Sequence, residues 1–518
     1  WDPVGPINIG GRIADLAVHP FDPLTLYVGS AEGGVLKTTD GGISWIPTFD
    51  DLETLSIGDL AVDPNDGDIV YAGTGEPNNG GGSVTYGGLG VYKTTNGGAT
   101  WTNIGLSDTR YIGRVVIDPT NTQRIFVAAM GALFSTNPER GIYRSTDAGQ
   151  SWQHVLSVTD STGAIDLVID RAQPNRIYAA TWERIRHPHT RRYGGPTSAV
   201  YRSTDGGTSW SILGGGLPSP AAVNGRIGLA IGNSNPNILY AIYADQIGNF
   251  AGVYKSTNGG DTWVRTNDGA LAGAYASYGW WFGNIRVDPV NPDRVFVVGF
   301  NVYRSTNGGA SWSQIGANMH VDHHAFEYVA NATGMQIFEG NDGGLYRSSD
   351  GGNSWSEILN LPITQFYTVA VDHQLPHRRY GGTQDNGTNR TLSGGVNDWA
   401  EIYGGDGFYV NVDPTNNNFI YAESQYGGLG RSTNGGATFA GATTGISGSD
   451  RFNWSSPVVL DPSNPQTLYF GANRLYRSTN RAVSWTAISN DLSDGNSGSG
   501  GVVFGTITTI APSQSNSQ

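Results

Sequence analysis

The chain has no cysteine in 518 residues, which excludes disulfides and thiolate metal sites. No run of eighteen apolar residues occurs, so no helical membrane span is expected. A sustained i, i+3, i+4, i+7 apolar stripe is also missing, and α-helix should be nearly absent. Basic residues are scarce: 30 Lys and Arg against 44 Asp and Glu leave a net charge of −14. That balance disfavours nucleic acid and anionic membranes, whose phosphates require cationic patches. The one basic stretch, Arg184, Arg186, Arg191 and Arg192, reads as a solvated loop. The start at Trp1 rather than Met reads as a processed end, with a signal peptide removed and the protein exported.

What is present in quantity is glycine, at 76 residues, alongside 14 Trp, 25 Tyr and 17 Phe. A disordered chain would not carry so many aromatics, whereas a turn-dense all-β chain needs both. The glycines recur within a pattern, Ser/Thr-x-Asp/Asn-x-Gly-x-x-Trp/Phe. It ends at Trp45, Trp101, Trp152, Trp210, Trp263, Trp312, Trp355, Phe439 and Trp485. A decayed copy ending at Trp399 splits the longest gap, which makes ten repeats of roughly 50 residues, the period of a propeller or similar array. Each repeat contains an alternating apolar run such as Ile13–Val18, a run like Leu26–Gly29, a Val-Tyr-Lys-Ser/Thr segment, and a strand opened by the aromatic. Four strands per repeat make a β-propeller blade. Within the motif, the Asx side chain should bond turn amides, the glycines should accept left-handed conformations, and the terminal aromatic should be buried.

The motif is similar to the Asp-box (BNR) repeats of sialidases, sortilin-type receptors and xyloglucan-cleaving endoglucanases. The segments Gly5–Ile13, Gly382–Gly387 and Gly404–Gly407 also resemble a bacterial exported group described as sortilin-like or glycosyl-hydrolase-like. The expected fold is all-β, a propeller of ten four-stranded Asp-box repeats. Two arrangements remain open: a seven-bladed propeller over 1–360 with three further blades over 361–518 as part of a second, or one ten-bladed ring.

Blade geometry divides the loops. Connections 1→2 and 3→4, with the boxes, share one face, while 2→3 and 4→1 share the other, where the sequence is irregular and function is expected. That face offers Glu76, Trp182, Glu183, Trp280, Trp281, Asp342, Tyr403, Asp406, Glu423 and Trp454 as a polysaccharide-binding set of acids and aromatic platforms. Superposing repeat one on repeat eight places Glu32 on Asp385. In the xyloglucan-cleaving enzymes two propellers each contribute a catalytic Asp, so the resemblance implies Glu32 and Asp385 as a pair for inverting hydrolysis, although the first is Glu here. His320, Asp322, His323 and His324 have metal-ligand chemistry, yet one loop cannot converge them all and they read as surface histidines. No cofactor is required; calcium suits the Asn/Asp/Gly loops. Two functions follow: a secreted or cell-surface protein that binds or hydrolyses an extracellular polysaccharide, or a non-enzymatic sortilin-like adhesion or structural protein holding a peptide or protein polymer.

Overall fold

The computed structural model describes residues 4–78, 86–187, 190–221, 224–331, 334–493 and 505–514. These residues form ten four-stranded antiparallel sheets, one two-stranded ribbon and three 3-10 turns, with no α-helix among them. Each sheet follows chain order. In the first, Leu16 faces Val28, Val28 faces Leu36, and Leu36 faces Pro47. The alternating runs make strands because successive side chains point to opposite faces, and here both faces are covered by neighbouring apolar residues.

The chain divides into two compact units. Arg12–Ile358 holds seven sheets, whose first strands are Ile13–Val18, Ile57–Asp63, Ile112–Ile117, Thr162–Ile169, Asn224–Ile231, Asn284–Val287 and His323–Asn331. Residues of all seven line one cavity of about 680 Å³. Arg114 bridges two acids in it, 2.7 Å from Asp59 Oδ1 and 3.1 Å from Asp166 Oδ1. Asp15, Asp59 and Asp166 also accept the amides of Leu60, Val115 and Leu229, at 2.8, 2.7 and 2.8 Å. Each of these acids therefore ties its own sheet to the next.

The other unit comprises Leu359–Gln518 together with the chain start up to Gly11. Its three sheets begin with Phe366–Val371, Val410–Val412 and Val458–Leu460. The starting segment is bound within this unit: Ile7 donates its amide to Val396 O and accepts from the Asn360 amide, both at 2.8 Å. Thr364 Oγ1 donates to Ile9 O at 2.6 Å.

The boxes are self-capped turns. Asp205 Oδ1 accepts the amides of Thr208 and Ser209 at 3.0 and 2.9 Å, and the Ser203 hydroxyl accepts the Gly207 amide at 2.8 Å while donating to Asp205. These bonds favour the carboxylate form and lower the pKa of Asp40, Asp147, Asp205 and Asp350. Ala148, Arg481 and Ala482, which replace box glycines, keep the left-handed φ of 60°, 56° and 56°. Hydrogen bonding of the turn therefore outweighs the steric cost of a Cβ there. The expectation for the aromatics needs correcting. Trp263, Trp312, Trp355 and Trp485 are buried, but Trp45, Trp101, Trp152, Trp210 and Phe439 are half-buried, because the short fourth strand is an exposed edge.

Candidate functional site

In the Arg12–Ile358 unit, the loop end opposite the boxes is occupied by buried ions. Arg12, just before its first strand, lies 3.2 Å from Glu76 Oε2 and 3.9 Å from Asp342 Oδ2 and stacks 4.7 Å from the Trp281 ring centre. Arg226 donates to Asn78 Oδ1 at 2.5 Å and to Trp281 O at 3.1 Å. Arg184 reaches Pro77 O and stacks 4.5 Å from Trp182. Burial lowers the pKa of Arg184 to about 9 and of Arg226 to about 10. Burial outweighs the three neighbouring guanidiniums at Glu76 and raises its pKa.

These positions correct several expectations. Glu76, Trp182, Glu183, Trp280, Trp281 and Asp342 do come to one end, but all are buried rather than solvent-facing. Trp182 is sealed, with its indole N–H donating to Tyr193 O at 2.8 Å, and Trp280 stacks on Tyr193 at 5.3 Å. Glu183 is held by Arg192 at 2.7 Å and by the Thr197 hydroxyl at 2.7 Å. Arg184 and Arg186 are buried, so that stretch is not a solvated loop. His323 and His324 are not surface histidines either; both are buried. They are consecutive strand residues, so their rings diverge. His323 Nδ1 meets Glu339 Oε1 at 2.7 Å, whereas His324 Nε2 lies 2.8 Å from Asp342 and 2.9 Å from the Trp281 indole nitrogen. Burial, with Arg12, Arg226 and His323 nearby, holds His324 well below its usual pKa. His320 turns back on Val321 O at 2.9 Å, and Asp322 is half-buried with φ +67°. Glu32, half-buried, follows the second strand of the first sheet beside Ala31, whose amide donates to Arg12 O at 3.1 Å.

In the Leu359–Gln518 unit, two glycine-rich turns build a different site. Asp385 sits at φ +55°, and its amide donates to Asp406 Oδ1 at 2.9 Å. Gly387 N bonds Gly405 O and Gly407 N bonds Thr383 O, each at 2.9 Å. A Cβ on Gly407 would lie 2.3 Å from Gly387 O, and one on Gly382 would lie 2.1 Å from Phe408 O. Only glycine permits the two turns to approach this closely. Asp406 is buried, and its Oδ2 accepts Gln425 Nε2 at 2.8 Å. Burial, then the charge and the carboxyl contact of Asp385, raise its pKa to about 7. A carboxyl pair with one member titrating near neutrality is suited to proton transfer.

Glu423 lies nearby on the same strand end, two residues before Gln425. It is wholly buried; Oε1 accepts the Ser456 amide at 3.1 Å, and burial raises its pKa to about 9. Neither Asp406 nor Glu423 has an Arg, Lys or His within ion-pair distance among the described residues. Tyr403 is a half-buried wedge whose hydroxyl donates to Gly428 O at 3.3 Å. Trp454, also half-buried, makes edge contacts with Phe408 at 6.0 Å and Tyr426 at 5.1 Å. Arg12, Arg226, Gln425 and Tyr426 were not among the residues singled out from sequence. Their signal was present only as position, since each stands at a strand end on the loop face.

Comparisons with known proteins agree with this architecture. The sequence model of the Sortilin-Vps10 family (sortilin, neurotensin receptor 3) matches residues 90–219. A xyloglucanase of Paenibacillus sp is 24% identical over 321 residues, covering 56% of this chain and 29% of that protein. Xyloglucanase Xgh74A of Acetivibrio thermocellus is 25% identical over 328 residues, covering 58% and 37%. The chain thus spans about a third of the length of these relatives. The crystal structure of an ancestral GH74 enzyme superposes over the whole chain and 74% of its own, with a TM-score of 0.69 at 19% identity, which is a likeness of fold. The chain is therefore an all-β, Asp-box β-propeller protein, similar to the sortilin-like and glycosyl-hydrolase-like group and related in fold to the xyloglucan-cleaving enzymes.

Proposed function

We propose that the protein binds an extracellular polysaccharide of the xyloglucan class through the loop face opposite the Asp boxes and hydrolyses it by carboxyl chemistry. The observation that carries this reading is the Asp385–Asp406 pair, fixed on two interlocked glycine turns, with the Asp406 carboxyl buried beside Asp385 and bonded to Gln425. The partial likeness to xyloglucanases supports the substrate class. Asp385 is the catalytic carboxyl in this reading, and Asp406, whose carboxyl contacts it, is its proton-transfer partner. Inverting hydrolysis requires one acid to protonate the leaving oxygen while a carboxylate activates water. A polymeric substrate of this kind places the protein outside the cell or on its surface.

The test is a reducing-sugar assay on xyloglucan, with the anomer of the first product followed by NMR. Wild type should release sugar with inversion, and Asp385→Asn should abolish release without lowering the melting temperature. Absence of both turnover and binding on a glycan array would overturn the polysaccharide reading. The match of residues 90–219 to the sortilin family favours a second reading, a non-enzymatic receptor for a peptide or protein polymer. That reading gains if glycans are inert and peptides bind the same face.

A further inference from the structure

The turn that follows Glu423 combines two features the proposed chemistry leaves unused. Residues Gln425–Gly427 form a single 3-10 turn in which Tyr426 adopts φ +56°, ψ +38°. A left-handed conformation is rare for a bulky aromatic, because its Cβ crowds the following carbonyl. The ring gains little from burial in exchange, since Tyr426 is 59% exposed. Its orientation is nevertheless fixed. The Tyr426 amide donates to Trp454 O at 3.1 Å, and the two rings meet edge to face, 5.1 Å apart at 81°. Trp454 is backed in turn by Phe408 at 6.0 Å. Folding alone would favour Gly or Asn at this position; a strained, exposed and oriented aromatic is what a ligand platform requires. The preceding residue, Gln425, is bonded to Asp406, so one turn links the platform to the carboxyl pair.

We propose that Tyr426, braced by Trp454, is a stacking platform for a neutral pyranose ring of the polysaccharide held at the Asp385–Asp406 site. The inference rests on the polysaccharide reading above and adds a residue that sets how the glycan lies. The C–H face of a pyranose is apolar and matches an aromatic face, while its equatorial hydroxyls remain in water. Tyr426 is thus a binding residue, and it takes no part in proton transfer.

The experiment is isothermal titration of the full chain with a xyloglucan oligosaccharide and, separately, with cellotetraose, alongside thermal melting. Tyr426→Ala should weaken binding about tenfold, the usual worth of one stacked ring. Tyr426→Trp should preserve affinity. Tyr426→Gly separates the two roles: relief of the left-handed strain should raise the melting temperature while affinity falls as for Ala. If wild type binds and both Tyr426→Ala and Tyr426→Gly bind equally well, the platform is overturned and the polysaccharide reading stands. If wild type binds neither sugar, both are overturned. A melting temperature that falls in Tyr426→Gly with affinity unchanged would make the ring a structural brace instead.

Discussion

The two units partner their buried carboxylates differently. In Arg12–Ile358 several buried acids have guanidinium partners: Glu76 has Arg12, Asp59 and Asp166 share Arg114, and Asp118 and Asp170 have Arg124 and Arg176. In Leu359–Gln518 the pattern continues at the box face, where Arg481 holds Asp413 at 3.1 Å, but it stops at the loop face with Asp406 and Glu423. A guanidinium partner offsets the burial that raises a carboxyl's pKa and ties the acid to the fold, although at Asp59 and Glu76 burial is still the larger effect. An unpaired one is pushed toward its neutral form and is available to exchange a proton near pH 7. Raised carboxyl pKa values occur in both units, so it is the lack of an ion-pair partner at Asp406 and Glu423 among the described residues, rather than the shift itself, that marks the candidate chemical site.

The most severe way to break the comparison is to remove a cation from the paired unit. Arg12→Ala strands Glu76 and takes away the cation over Trp281, and should cost about 3–5 kcal/mol in denaturant unfolding. A loss below about 1 kcal/mol would mean that Glu76 sheds its charge as readily as the unpaired acids do. Next in size is Asp406→Asn. It should lower xyloglucan turnover by about a hundredfold or more, as for loss of a proton-transfer group, with no loss of stability at pH 8. Its pH–rate profile should also lose the limb near pH 7.

A third test uses pH. Glu423 moves from an unperturbed 4.5 to about 9 on folding, so between those values the folded state retains a proton that the unfolded state has released. Its contribution to stability is complete below about 4.5 and is lost as pH rises through about 9, at most about 1.4 kcal/mol per pH unit. Glu423→Gln should flatten this slope in melts at pH 6 and 9. Glu327, which lines the cavity of the larger unit, should give a weaker trend of the same sign up to about pH 7. The smallest expected effect is that of Ser203→Ala in a box turn. Loss of the bond to the Gly207 amide should cost about 1 kcal/mol and leave glycan affinity unchanged, as measured by melting and titration.

Much of this was legible in the sequence. The boxes, the four-strand repeat and the sharing of faces follow from local turns and chain parity, and Thr38, Asp40 and Gly42 bond one another as their spacing requires. The aromatics misled at Trp182, Trp280 and Trp281, because an aromatic at a strand end or in a loop between blades can be buried there as readily as it can face water. His323 and His324 misled for a related reason: their partners, Glu339 in the next strand and Asp342 just after it, are invisible to a motif of five residues.

The sequence by itself determined the repeat, the strands, the capped turns and the end of each sheet on which each loop emerges, since these depend on residues within a few positions of one another. Only the tertiary structure decided which acids acquire a cation. Arg226 meets Asn78 from 148 residues away and Arg114 meets Asp59 from 55, whereas Asp406 meets Gln425 and Asp385 but, among the described residues, no guanidinium. Burial and the identity of the distant partner set each carboxyl's proton affinity, and neither is a property of a local stretch of chain.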